Sequence, residues 1–407
     1  MPAMTPEVIR RLPKTDLHVH LDGSLRLSTL IDLARRKKTT LPSFTEAGLR
    51  EIVFRDHYAN LSDYLAGFQY TVAVLQDREA LERAAFELCE DCQAEGVRYV
   101  EIRFAPQLHV RSGFEFSDVV RAVDAGIRRA SRAFNARPEV ASGREPRFVA
   151  GIILCALRAF TPEHSEGYQR IFAALPEASP RELGLAASIQ VARAAARLRH
   201  DEGLLVVGVD LAGQEHGHPA EEHAQAYQVA HEAFLGKTVH AGEDYGPESI
   251  FQAIGMLHAD RIGHGTWLFD ASKIKEGRIA DKRAYVERLA QFIADKRITI
   301  EVCLTSNQQT VPELGADLAR HPFAEMRERR LSTTICTDNR LVSNTSVSNE
   351  IRRATEAFAL TDREVRDILI YGFKRSFFPG TYLEKRAYVR EMINFTDRIL
   401  ETPQPIP

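Results

Sequence analysis

The sequence predicts an α/β protein built as a closed (β/α)8 TIM-type barrel with extra helices around its C-terminal mouth. Three observations carry this. Eight short apolar runs rich in β-branched residues recur along the 407 residues. Longer stretches with helical apolar spacing separate them. Four polar clusters fall at the C-terminal ends of separate runs, where a barrel carries its active site. A doubly wound open sheet is the alternative topology for the same alternation.

The strand candidates are Asp16–Val19, Val97–Phe104, Phe148–Leu154, Leu205–Leu211, Lys237–His240, Arg261–Gly263, Ile298–Cys303 and Thr333–Thr337. Several are apolar almost throughout, as strands buried on both faces should be. Between them, Arg78–Glu95 repeats Leu81, Ala84, Ala85, Leu88 and Cys92 at helical spacing, and Pro247–His258 does so with Ile250, Ile254 and Leu257. The long intervals 20–96 and 105–147 are expected to add helices over the mouth or flank. In Tyr58–Val72, Leu61, Tyr64, Leu65 and Phe68 share one helical face, which suits either core packing or a cover over a pocket. A final helix is expected around Tyr382–Leu400, then a disordered Pro-rich tip. No linker or repeat divides the chain, so residues 1–407 are expected to form one domain.

Composition excludes several classes. A formal charge of −3 with 27% charged residues gives no footprint for nucleic acid or an anionic membrane. The run Arg35-Arg36-Lys37-Lys38 reads as a helix end, where cations favour the dipole. No segment has 18 consecutive apolar residues and the first eleven lack a signal-peptide core, so a cytoplasmic location is expected. Of five cysteines, Cys155, Cys303 and Cys336 sit in apolar runs, and the Cys89-x-x-Cys92 pair lacks a second pair or a thioredoxin-like context. Neither a P-loop nor a Gly-x-Gly-x-x-Gly turn is present. Oligomeric state is not legible.

The chemistry-bearing clusters begin with Asp16-Leu17-His18-Val19-His20-Leu21-Asp22-Gly23. Residues two apart on a strand face one side, so His18 and His20 can address one metal, although His-x-His alone is a weak signal. His240-Ala241-Gly242-Glu243 adds a third imidazole and a carboxyl. Gly263-His264-Gly265 places a histidine between two glycines, and Thr337-Asp338-Asn339 supplies a carboxylate. Three imidazoles and one carboxylate suit Zn²⁺ better than all-oxygen cations, while Fe²⁺ or Mn²⁺ take the same donors. His264 and Glu243 are then left over. One can orient or deprotonate a water and the other can protonate a substrate atom. His216-Gly217-His218 repeats the spacing in a Gly/Pro-containing loop without a nearby carboxylate constellation, and Glu301 is either a support for the site or a barrel-rim charge.

These blocks, with Asp210-Leu211-Ala212-Gly213 and Ser306-Asn307, closely resemble the adenosine deaminase family of metal-dependent barrels from Leu12 to about Pro379. The resemblance implies one Zn²⁺ held by His18, His20, His240 and Asp338. It also implies His264 acting on the attacking water, Glu243 protonating purine N1, the Gly213 backbone at N3, Asp22 at the ribose, and Leu61 and Leu65 in a helix over the sugar side. Family members often carry a second acidic residue facing N7. Asn339 stands there in this chain, and its amide can donate to N7 without being protonated first. The implied partner is a small purine nucleoside, adenosine or 2′-deoxyadenosine, deaminated to the inosine form. A 5′-modified nucleoside such as aminofutalosine is the alternative, and a catalytically inactive purine-binding relative is the alternative from another class. A two-metal amidohydrolase would need a lysine in Val206–Ala212, which has none. A cytidine-deaminase-type zinc site would need Pro-Cys-x-x-Cys, but Leu88 precedes Cys89.

Overall fold

The computed structural model describes residues 4–315 and 317–401. The expected Pro-rich tip lies outside the described residues. Eight parallel strands run in chain order: β1 (Lys14–His20), β2 (Val97–Phe104), β3 (Val149–Leu157), β4 (Val206–Ala212), β5 (Gly236–Ala241), β6 (Arg261–His264), β7 (Thr299–Val302) and β8 (Ser332–Ile335). The ring closes just beyond β8, where the Asp338 N–H donates to the His18 carbonyl at 2.8 Å and the His20 N–H donates to the Asp338 carbonyl at 2.8 Å. The architecture is the (β/α)8 barrel, and the open-sheet alternative is overturned by that closure. β1 is irregular against β2 between Asp16 and Val19, a bulge that re-aims His18 at the rim.

β2 shows how the interior is filled. Val100, Ile102 and Phe104 pack among the buried apolar residues, while Tyr99, Glu101 and Arg103 alternate with them and bond to one another or across the barrel. The barrel centre is therefore partly ionic, so its charges must all be paired.

Helices cover the outside, among them Arg78–Ala94, Phe116–Asn135, Pro180–His200, Pro247–Gly255 and Asp362–Arg375. Their starts follow capping chemistry: Asp77 accepts from the Ala80 N–H, and Ser179 with Glu182 forms a reciprocal box. The basic run ends Leu27–Lys37, with Lys38 in the left-handed cap position. The Tyr58–Val72 reading needs correction. It is two short helices, Leu61–Leu65 and Phe68–Val74, broken at Ala66–Gly67, with Tyr58 outside both. Among the described residues no helix is long and apolar enough to cross a membrane.

Candidate active site

The C-terminal ends of β1, β5, β6 and the turn after β8 bring His18, His20, His240, His264 and Asp338 together. His18, His240, His264 and Asp338 each offer one donor atom, all within 4.8 Å of one another. His20 Nε2 completes the group, 3.2 Å from His240 Nε2 and 3.4 Å from Asp338 Oδ1. The tightest four-donor set thus contains His264 beside three of the residues singled out as ligands, with His20 at its edge.

Two carboxylates fix which nitrogens face inward. His18 Nδ1 donates to Glu301 Oε2 at 2.8 Å, and His240 Nδ1 lies 3.0 Å from Asp210 Oδ2. An imidazole donating through Nδ1 presents an Nε2 lone pair on its other side. His18 Nε2 and His264 Nε2 are both buried without a hydrogen-bond partner. Lone pairs and a carboxylate converging in this way repel one another unless a cation lies among them. Donor separations of 3.2–3.4 Å match those around an ion with bonds of about 2.1 Å in near-tetrahedral array. The residues present fit a divalent transition metal. Among the described residues this is the one His/Cys/Asp/Glu grouping of that kind, so neither Cys89-x-x-Cys92 nor His216-Gly217-His218 forms another. Cys89 and Cys92 are buried free thiols.

Backbone conformation is part of the construction. His264 and Asp338 both have left-handed backbones, at φ +67° and +62°, which non-glycine residues adopt only when their surroundings hold them. Gly263 is required by close approach, because a Cβ there would come within 2.9 Å of the His18 ring.

Glu243 sits beside the donor group, its Oε1 3.6 Å from His264 Nε2. Burial pushes its carboxyl well above the usual range, reinforced by the charges of Asp338, Glu215 and Asp244. The loop carrying it is tied down by Glu215, whose carboxylate accepts from the backbone N–H groups of Gly242, Glu243, Asp244 and Tyr245 at 2.8–3.1 Å and from the Ser249 hydroxyl.

A cavity of about 960 Å³ opens onto these groups. Asp22, Gly213, Asn339, Leu61 and Leu65 all line it. Burial raises Asp22 to about 7, and its Oδ1 has no partner. Asn339 Nδ2 donates to the Tyr64 hydroxyl at 2.9 Å, and Tyr64 in turn pairs with Ser343 Oγ at 2.7 Å. The broken helical segment therefore does both things proposed for it: Tyr64 is core, while Leu61 and Leu65 are cavity wall.

Several supporting residues were not singled out from sequence. Arg103 bridges the two orienting carboxylates, donating to Asp210 Oδ2 at 2.9 Å and Glu301 Oε2 at 2.8 Å. Glu301 also accepts from Arg261 Nε at 2.6 Å and is fully buried, so of its two readings the geometry agrees with support for the site and not with a rim charge. Asn307 Nδ2 lies 2.9 Å from His264 Nδ1, and Asn307 Oδ1 lies 3.1 Å from His321 Nε2. The available signal was polar side chains at alternate positions of an otherwise apolar strand, Tyr99, Glu101 and Arg103 in Val97–Phe104.

A parallel barrel with imidazoles and a carboxylate at its C-terminal mouth defines a metal-dependent hydrolase. The comparisons narrow the class. The family model for adenosine deaminase matches residues 13–188 and 178–394. Adenosine deaminase of Mycobacterium marinum is 38% identical over 392 residues, covering 96% of each chain. N6-mAMP deaminase of Arabidopsis superposes with a TM-score of 0.71 at 26% identity, covering 95% of this chain and 99% of that one. An amidohydrolase of Burkholderia ambifaria solved with bound Zn shares the fold, with a TM-score of 0.73 at 21% identity and coverage of 99% and 96%. The chain belongs to the adenosine deaminase family.

Proposed function

We propose that the chain deaminates adenosine and 2′-deoxyadenosine hydrolytically, releasing ammonia and the 6-oxo nucleoside, with one Zn²⁺ held by His18, His20, His240 and Asp338. The observation that carries this is the buried Glu243 carboxyl, its pKa pushed well up by burial, beside the donor group at the end of an open cavity. Fe²⁺ or Mn²⁺ suits the same donors. When bound, such an ion supplies Lewis acidity that brings a water's pKa from about 15.7 to about 7.

Protonated Glu243 donates to purine N1 and makes C6 electrophilic. His264 takes a proton from the water whose oxygen adds to C6, and its charge then opposes the partial negative charge on that oxygen. That proton passes to the 6-amino nitrogen, the C6–N bond breaks as ammonia leaves, and the proton left on the C6 oxygen returns to Glu243 as the C6=O bond forms. The Gly213 backbone, at φ +88°, meets N3, Asn339 donates to N7, and Asp22 accepts from a ribose hydroxyl, with Leu61 and Leu65 against the sugar.

The cavity lining favours a nucleoside over a nucleotide. It includes neither Lys nor Arg, so a 5′-phosphate would find no cationic side chain there. The Arabidopsis relative named for N6-mAMP therefore does not set the substrate class here. Cavity volume supports a second reading, a 5′-extended uncharged nucleoside such as aminofutalosine, because about 960 Å³ reaches past Gln69 to His164. A cytoplasmic location accords with five buried free thiols.

The test is metal analysis of the purified protein, then ammonia release and loss of adenine absorbance with adenosine, 2′-deoxyadenosine, AMP and aminofutalosine. One equivalent of metal and fastest turnover of the unmodified nucleosides are expected. Turnover of aminofutalosine alone would select the second reading. A metal-loaded protein inert toward all four would leave an inactive purine-binding relative.

A further inference from the structure

A second concavity, about 810 Å³, lies at the opposite end of the barrel, framed by the starts of β4, β5 and β6, the residues just before β7, and the segment Lys374–Phe378. Arg199, Lys296, Arg297, Lys374, Arg375 and Lys385 line it, and among the described residues none of these six has a carboxylate within ion-pair distance. The single acidic side chain in the lining, Asp260, is committed to Lys237 at 3.1 Å. This concentration stands against a chain whose formal charge is −3.

The cations crowd one another. Burial holds the Arg375 guanidinium below its ordinary pKa and the nearby Arg297 charge adds to this, while its Nε is buried without a partner. Burial likewise lowers Lys385, despite attraction from Glu101, with Arg261 and Arg375 adding to the effect. Arg199 and Lys385 reach only carbonyls, those of Val206 at 3.2 Å and Ser376 at 2.6 Å. Gathering like charges in a partly desolvated recess is unfavourable unless an anion offsets them. Aromatic side chains complete the walls: Phe234, Phe292, Phe377 and Phe378, with Arg261 stacked 3.6 Å over the Phe377 ring.

We propose that this basal cleft binds a phosphate-bearing small molecule, of the nucleoside diphosphate class, whose phosphates meet the six cations and whose base meets the phenylalanines. Guanidinium and ammonium groups recognise phosphate by charge-assisted hydrogen bonds, and aromatic faces accept a planar base. The concave shape and the acidic remainder of the chain fit a small ligand rather than a nucleic-acid strand, which needs a basic stripe.

The test titrates the metal-loaded protein with UDP, which is no 6-aminopurine, and separately with inorganic phosphate, by calorimetry at 150 mM salt, with metal content measured before and after. Saturable one-to-one UDP binding is expected, with phosphate weaker. The double variant K296Q/R297Q, at two exposed positions, should weaken UDP roughly tenfold or more while leaving deamination and thermal midpoint without UDP unchanged. The single variant Lys374→Gln provides a second, independent reduction. Absence of UDP binding, or binding that the double variant and Lys374→Gln leave intact, would overturn the proposal.

Discussion

Arg103 Nη2 lies 2.8 Å from Glu301 Oε2, the same oxygen that accepts from His18 Nδ1. Its Nη1 holds Asp210, which faces His240 Nδ1. One buried guanidinium thus clamps the two carboxylates that orient two metal-facing imidazoles. Burial alone would raise both carboxyls, yet Arg103 and its neighbours hold them well below the usual range.

Replacing Arg103 by Met should therefore act on metal binding as well as on folding. Removing one partner leaves a buried carboxylate pair uncompensated, a loss of about 3–5 kcal/mol. Loosened supports of this kind weaken metal affinity roughly 10- to 100-fold. Competition with a chromogenic chelator measures the second effect. Full metal affinity with only a lowered thermal midpoint would show that Arg103 is purely structural.

Glu243→Gln should keep metal and lose turnover by about 10²–10⁴-fold, because an amide can bond N1 but cannot transfer a proton. The sign of its pH dependence follows from the raised carboxyl pKa. The donor is present below that value, so kcat/KM should fall as pH rises through it. Stability follows the same direction: between the ordinary carboxyl range and the raised value the folded chain holds a proton that the unfolded chain has lost. Stability contributed by Glu243 therefore declines with rising pH, and the variant should melt higher than the parent at alkaline pH. A parent and variant with parallel melting profiles across pH would contradict the buried neutral acid.

The barrel and most of its site were legible because their signals are local. His18, His240, His264 and Asp338 stand at or near strand ends, His264 between two glycines, and period-two or continuous apolar runs mark the strands before them. What the residues around them do depends on contacts between distant strands. Glu301 reads equally as a support for the site or a rim charge until the barrel closes and sets it against Arg103, 198 positions away. The break at Ala66–Gly67 was hidden for another reason. Apolar spacing runs straight through it, whereas the Gly67 position packs against the Phe54 ring, 3.3 Å from where a Cβ would stand.

Glu215→Ala should loosen the catalytic loop without touching the metal donors. Four backbone N–H groups and the Ser249 hydroxyl would lose their acceptor, each buried loss costing about 1–3 kcal/mol if water does not replace it. Glu243 rides on this loop, so kcat should fall while metal content stays at one equivalent. Kinetics and metal analysis on the same preparation check it. An unchanged kcat would mean that the loop holds its shape through Trp267, whose indole donates to the Glu243 carbonyl at 3.0 Å.

Asn339→Asp tests the purine N7 assignment. The Asn339 amide has one N–H on the Tyr64 hydroxyl and a second free to donate into the cavity. Purine N7 only accepts, so an ionised aspartate opposite it would repel rather than bind. Burial would raise the new carboxyl's pKa, as burial does for Asp22, which reaches about 7, and the neighbouring charge of Asp338 would add to this. The variant should then approach parental kcat/KM at low pH and lose about tenfold or more as its carboxyl ionises, adding an alkaline limb that the amide cannot produce. Rates with 7-deazaadenosine sharpen the result. That substrate lacks the acceptor, so parent and variant should differ far less with it at every pH. An equal gap with both substrates would place Asn339 against something other than N7.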